Sequence, residues 1–163
     1  MRSIPDGAPQ TLGEAFSHIY AVETPSLTDL KVMVLVEAAG QTLYEVSAQG
    51  TGHPGVKALL IANGHEEMKH AHRVSAAIKA MSGEEYAPPA AADNPYLTGD
   101  IPRATITVEG LKKTAEAEFG GDALYARWAA NVDNEEAAAL MLLNGSEESD
   151  HGNRLLEAAA LLA

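Results

Sequence analysis

The sequence predicts an all-α protein: a four-helix bundle built from two related helical hairpins, joined by a long crossover. Three observations predict it. Residues 26–82 overlay residues 107–163 without a gap at an offset of 81. Each copy holds two proline-poor helical stretches split by a short turn, and repeats of this kind set the architecture before any single element does. Between the copies, residues 83–106 hold Pro88, Pro89, Pro95 and Pro102, too many breakers for a helix.

The elements follow in order. Residues 1–25 read as an arm, with a short helix around Leu12–Tyr20. Ser26 stands where an N-cap stands, and the first long helix runs from Leu27 to about Gly50. GTGHPG at 50–55 is a turn signal. The second helix runs from Pro54, tolerated at a first helical position, to about Met81. The third fits Thr107–Ala130, Asn131–Asn134 turn the chain, and the fourth runs to Ala163. One domain over 26–163 is expected: hairpin 26–82, crossover 83–106 and hairpin 107–163. If the second and third helices run parallel, the crossover must span a helix of roughly 42 Å. Its extended reach of about 80 Å allows that.

Composition narrows the function. The chain has 163 residues, 46% of them hydrophobic, which is enough for one core. It has no Cys, which excludes disulfides, thiolate zinc sites, iron–sulfur clusters and thiol nucleophiles. There are 23 acidic against 11 basic residues, for a net charge of -12. Nucleic acid is therefore not an expected partner, since such binders carry a basic face. No apolar run approaches a membrane span and the N-terminus lacks a signal-peptide core, so the expected compartment is the cytoplasm.

The polar residues that match between copies point to chemistry. They include Glu37/Glu118, Tyr44/Tyr125, Asn63/Asn144, Glu66/Glu147, Glu67/Glu148, His70/His151 and Arg73/Arg154. Apolar matches at helical spacing can simply be core, whereas Glu and His have no packing reason to recur. Glu67 and His70 are three apart and share a helix face, as do Glu148 and His151. Gly52, in the first turn, is the midpoint of Glu37 and Glu67. Asp133, in the second, is the midpoint of Glu118 and Glu148. In an antiparallel hairpin such pairs lie at one height, here roughly 22 Å from the turn. Each hairpin thus places one Glu beside one Glu-x-x-His. Packing the hairpins together gathers four carboxylates and two imidazoles, which a bundle core cannot hold uncompensated. Two divalent cations would balance them, in the dimetal pattern of helix bundles. The expected metal ligands are Glu37, Glu67, His70, Glu118, Glu148 and His151, a donor set suited to iron or manganese.

The remaining polar residues carry secondary expectations. Tyr44 and Tyr125 are either core residues with the hydroxyl paired locally, or functional residues that hydrogen-bond a ligand carboxylate or trap a radical. Glu66 and Glu147 point about 100° away from the ligands along their own helix. They are expected at the surface, with support of the opposite hairpin's His as the alternative and Asp150 as a competitor for that role. Arg73 and Arg154 are expected in ion pairs at the surface or the bundle end. His18, His53, His65 and His72 have no partner in the other copy and are not expected to be ligands. Glu116 is expected to be exposed, and Trp128 and Phe119 to be core or dimer contacts.

The run EEMKHAHR at 66–73 resembles the second-helix metal motif of bacterioferritins and rubrerythrins. The order Glu37, Tyr44, Glu67, His70 resembles one rubrerythrin-type hairpin, also seen in encapsulated ferritins, and GSEESDHGNR repeats it. The resemblance covers residues 26–163. It implies a ferritin-like bundle with a non-haem di-iron centre, holding two iron ions or a manganese or mixed pair. It also implies an oxidoreductase that reacts with dioxygen or hydrogen peroxide as peroxidase or ferroxidase. Iron handling and a purely structural metal site are the alternatives. Gly40 and Gly121 stand where rubrerythrins often carry a further Glu, and no Cys-rich electron-delivery domain is present. Electrons would come from a separate donor protein. Met68 occupies a place resembling that of the haem-ligating Met of bacterioferritins, but its counterpart is Ser149, so haem is not expected. No helix follows the fourth, so a homodimer is expected rather than a storage cage.

Overall fold

The structure is a computed structural model that describes residues 3–99 and 101–163. Met1 and Arg2 of the expected arm, and Asp100 of the expected crossover, lie outside the described residues. Among the described residues the chain is all-helical, with no strand. The helices are α1 (Leu12–Ala21), α2 (Leu27–Ala48), α3 (Pro54–Ser82), α4 (Val108–Ala130) and α5 (Glu135–Leu162), with one short 3₁₀ turn at Ala91–Asp93.

Local chemistry sets the ends. Thr11 opens α1 and Ser26 opens α2, each with a reciprocal capping box, to Glu14 and Asp29 respectively. His53 caps α3 through Nδ1, Thr107 caps α4 and Asn134 caps α5. Gly83 ends α3 in the left-handed region at φ 75°, which only glycine adopts freely. None of the helices among the described residues is long and apolar enough to cross a membrane.

The packing is pairwise. α2 lies on α3, α4 on α5, and the pairs join through α3 and α5. Gly64 and Gly145 permit the close approach within each pair. A Cβ on Gly64 would meet Tyr44 Cβ at 3.0 Å, and one on Gly145 would meet Tyr125 Cβ at 3.2 Å. α2 and α4 do not pack closely on one another, a gap that matters below.

The crossover runs beside α2 from one end to the other. Glu84 pairs with Lys31 near the start of α2. Asn94 donates to the Leu35 carbonyl, and the Ile106 amide donates to the Gly50 carbonyl just past the helix end. α1 is tied down as well. His18 meets Asp29, the Tyr20 hydroxyl donates to the Ala117 carbonyl, and Trp128 Nε1 donates to the Val22 carbonyl. Ala15 and Ile19 of α1 are buried in the apolar cluster that also holds Met33, Leu124 and Trp128. A second apolar cluster surrounds Tyr44, Leu60, Leu111 and Leu155. The polar centre lies between the two.

Candidate metal centre

Four buried side chains, Glu67 and His70 from α3 with Glu148 and His151 from α5, converge midway along the bundle. One ligand atom from each lies within 4.8 Å of all the others, a group that can hold a metal ion. The two imidazoles stack with centroids 5.1 Å apart. His70 Nδ1 is 3.0 Å from Glu148 Oε1 and 4.0 Å from Glu67 Oε2. His151 Nδ1 is 3.4 Å from Glu67 Oε1 and 3.5 Å from Glu148 Oε2. Glu67 and Glu148 thus each face both rings. Glu37 from α2 flanks the His70 side at 3.7 Å, and Glu118 from α4 flanks the His151 side at 3.9 Å. All six residues expected from the sequence meet in one place.

The outer partners are exchanged between the helix pairs. The Tyr44 hydroxyl of α2 donates to Glu118 of α4, and the Tyr125 hydroxyl of α4 donates to Glu37 of α2. Of the two readings left open for the tyrosines, the structure supports the bond to a carboxylate.

Glu66 and Glu147 are not free surface charges, which corrects that expectation. His70 Nε2 is 3.0 Å from Glu147 Oε2, and His151 Nε2 is 3.1 Å from Glu66 Oε2. Arg73 grips Glu147 through both guanidinium ends at 2.6 and 3.0 Å, and Arg154 holds Glu66 at 2.7 Å. The arginines therefore sit at the level of the centre and not at a bundle end. The physical reason is the crossing of α3 and α5. A residue rotated away from its own helix's ligand face meets the neighbouring helix, not solvent. Asp150 is exposed and does not compete.

Asn63 and Asn144 complete this layer, and sequence reasoning assigned them no role. Both are fully buried. Asn63 Nδ2 donates to the His151 carbonyl, and Asn144 Nδ2 donates to the His70 carbonyl. Their Oδ1 atoms accept from Arg154 and Arg73. Their recurrence at equivalent positions was the available signal.

Other residues fall away from the centre. His53 is a helix cap, His18 pairs with Asp29, and His65, His72 and Glu116 are exposed. Met68 is half-buried outside the cluster. Trp128 is core, whereas Phe119 is exposed, and its ring edge lies over Gly152.

Burial and neighbouring charges set the ionisation of these groups. Burial pushes the Glu67 carboxyl well above its ordinary range, and the charges of Glu148, Glu37 and Glu118 add to this. Burial raises Glu118 likewise, reinforced by Glu148. For Glu148, burial acts upward, but the two histidines outweigh it and hold it below the ordinary range. Burial pushes His70 down, but the carboxylates of Glu148 and Glu37 prevail and push it up to about 10. Arg73, the largest influence on Glu147, holds it low. At Glu66, burial acts upward but Arg154 prevails and holds it low. An ionised carboxylate only accepts hydrogen bonds, so Nε2 of each His donates outward and Nδ1 faces inward.

Those inward Nδ1 atoms decide whether a cation fits. Both are buried, and although carboxylate oxygens lie 3.0–4.0 Å from them, neither makes a well-directed hydrogen bond. A buried polar atom without a hydrogen bond is rare, and two such imidazole nitrogens facing four carboxylates make a donor set that fits a divalent cation. The outward carboxylates are the supports that metal-bound imidazoles use. Glu66→Gln should remove the charge that orients His151. Metal affinity should fall by roughly 10- to 100-fold, read by competition with a chromophoric chelator, with the helical content unchanged.

A cavity of about 320 Å³ opens from the four carboxylates into the gap between α2 and α4. Gly40 and Gly121 line it. A Cβ on Gly40 would stand 3.0 Å from the Glu67 carboxyl, so glycine there leaves the carboxylate its space. Compared with known proteins, the chain matches no family model, no curated protein and no solved structure, so the functional reading rests on this geometry.

Proposed function

We propose that the chain is a ferritin-like four-helix bundle of duplicated hairpins, with a di-iron centre of rubrerythrin-like type. In this reading α1 is an arm folded on the bundle, and Glu37, Glu67, His70, Glu118, Glu148 and His151 are the ligands. The protein is then an oxidoreductase that reduces dioxygen or hydrogen peroxide. The observation that carries the reading is the pair of inward Nδ1 atoms, without a hydrogen bond, facing the buried carboxylates of Glu37, Glu67 and Glu148 and the half-buried one of Glu118.

When bound, two iron ions would supply reversible one-electron steps between ferrous and ferric states. The residues do the rest. Glu67 and Glu148, each facing both imidazoles, would contribute to holding both ions. Glu37 and Glu118 each serve one side. Tyr125 and Tyr44 hold those two carboxylates in orientation and keep a proton beside each. Both phenols are held well above their ordinary pKa, first by burial and then by the adjacent carboxylates, so they stay protonated. The Arg–Glu–His chains keep Nδ1 free for the metal. A separate donor protein is the proposed source of electrons for repeated turnover. A homodimer is the proposed assembly.

The test is anaerobic loading with ferrous iron followed by oxygen or peroxide. About two irons per chain and a rise in near-ultraviolet ferric absorbance are expected. Repeated turnover with peroxide and a reductant marks a peroxidase, and iron uptake far beyond two per chain marks iron handling. Metal binding with no oxidation would leave only a structural site, and no metal binding would sink the reading.

A further inference from the structure

The cavity above the carboxylates has a character that oxidant reduction does not require. Its walls are apolar, formed by Met33, Val36, Leu43 and Leu124, and its charges are confined to the floor. Among the described residues that line it, none is Lys or Arg. Its volume of about 320 Å³ sits at the lower end of the roughly 300–1,000 Å³ range of small-molecule sites. Dioxygen, peroxide or a single cation needs far less. Apolar cavities resist water and take up small apolar molecules.

The mouth is also built asymmetrically. The offset of 81 pairs Met33 with Thr114, Val36 with Ala117, and Trp128 with Ser47. α1 covers the half that holds Met33 and Trp128. The other half carries the smaller Thr114, Ala117 and Ser47, and Thr114 and Ala117 are exposed. At the rim α1 presents two aromatic rings, Phe16 and Tyr20, 38% and 40% exposed. Exposed aromatic rings at the lip of an apolar cavity are an incomplete contact surface.

We propose that this cavity is a binding site for a small, uncharged, apolar organic molecule, entering past Thr114 under the Phe16 and Tyr20 rings and seated on the metal-binding carboxylates. The inference rests on the dimetal reading for one point: two divalent ions neutralise the four-carboxylate floor. An organic anion finds no cationic side chain on the walls, and an organic cation finds no net charge on the loaded floor. The class that fits is uncharged and apolar, of about indole size.

The experiment titrates manganese-loaded protein with indole by calorimetry, and with indole-3-acetate as the charged analogue. Saturable binding of one indole per chain is expected, with the acetate weaker by at least about tenfold. Thr114→Trp plugs the mouth from an exposed helix position whose hydroxyl bonds only its own helix. It should weaken indole at least about tenfold with manganese content unchanged. Leu43→Trp blocks from the facing wall and serves if the first variant folds poorly. Full manganese occupancy with no saturable indole binding overturns the proposal, as does undiminished binding in both variants. Equal binding of the acetate overturns the uncharged class. If manganese fails to load, the dimetal reading fails by itself. Indole binding to the metal-free protein, and its loss on blocking, then decides the cavity alone.

Discussion

Glu67→Gln should lower bound metal from about two ions per chain to one or fewer, with almost no change in the metal-free fold. The two halves of that result have different causes. Glu67 lies between both imidazoles, so its loss touches both metal positions. The effect should exceed the roughly 10- to 100-fold typical of an outer partner. In the metal-free protein, however, burial and three neighbouring carboxylates already favour the neutral form of Glu67. Glutamine copies that neutral form in shape and charge, so metal-free stability should stay within about 1 kcal/mol of wild type. Saturating metal at about 100 times the Kd stabilises a protein by about 2.7 kcal/mol. At roughly 2–4 °C per kcal/mol, that is a shift the variant should largely lose. Metal analysis and melting with and without manganese read both halves. Glu116→Gln, at an exposed position, is the control that should change neither. Retention of two ions by Glu67→Gln would remove Glu67 from the centre.

Metal-free protein should become less stable as pH rises from about 6.5 to 10, while metal-loaded protein should not. The sign follows from where the protons sit. The folded pKa of His70 is raised from 6.5 to about 10, so the folded state binds the proton more tightly than the unfolded chain. Its contribution is full below 6.5 and is lost as pH climbs through 10. Glu67 and Glu118 are also raised, from an ordinary value of 4.5, and they act in the same direction from that value upward. Glu148 is lowered, so its contribution is present above 4.5 and lost in acid, outside this window. Bound cations take the place of these protons. Metal affinity should therefore rise with pH, and loading near neutrality should release protons. Melting at pH 6.5 and pH 9 should show the metal-free midpoint falling by several degrees and the loaded midpoint holding. Calorimetry in two buffers of different ionisation heat measures the release. A flat metal-free profile would mean that the buried protons are not where the electrostatics puts them.

Much of this centre was legible before any coordinates. The turn midpoints at Gly52 and Asp133 set Glu37 level with Glu67, and Glu118 level with Glu148, because helix rise is constant and each turn is short. The cap at Ser26, the turn at Asn131–Asn134, and the proline at the start of α3 marked helix boundaries to within a residue or two, and the third helix was expected to begin one residue before its observed start at Val108. Glu66 and Glu147 were harder. Spacing gives a residue's angle on its own helix, but not which neighbour stands in that direction. That depends on how α3 and α5 cross. Asn63 and Asn144 were hidden for the same reason, since their partners are main-chain carbonyls that carry no side-chain signature. The seat of α1 was unreadable too. Besides the burial of Ala15 and Ile19, it is held by hydrogen bonds to backbone oxygens of Val22, Tyr20 and Ala117, which any sequence supplies. The gap between α2 and α4 is a failure to pack, and no local pattern announces one.

The exchanged hydrogen bonds have a consequence for how such a centre comes together. Tyr44 serves Glu118, Tyr125 serves Glu37, Arg73 and Glu147 brace His70, and Arg154 and Glu66 brace His151. Neither helix pair contains a finished half. Were the pairs separate molecules, the centre would exist only as often as they met, and dilution would dismantle it. A crossover fixed along α2 makes that meeting intramolecular, so assembly depends on tether length and not on how much protein is present. The tether also releases the two halves from having to be identical. One can acquire Trp128 and a covering helix while the other keeps Ser47 and an open door.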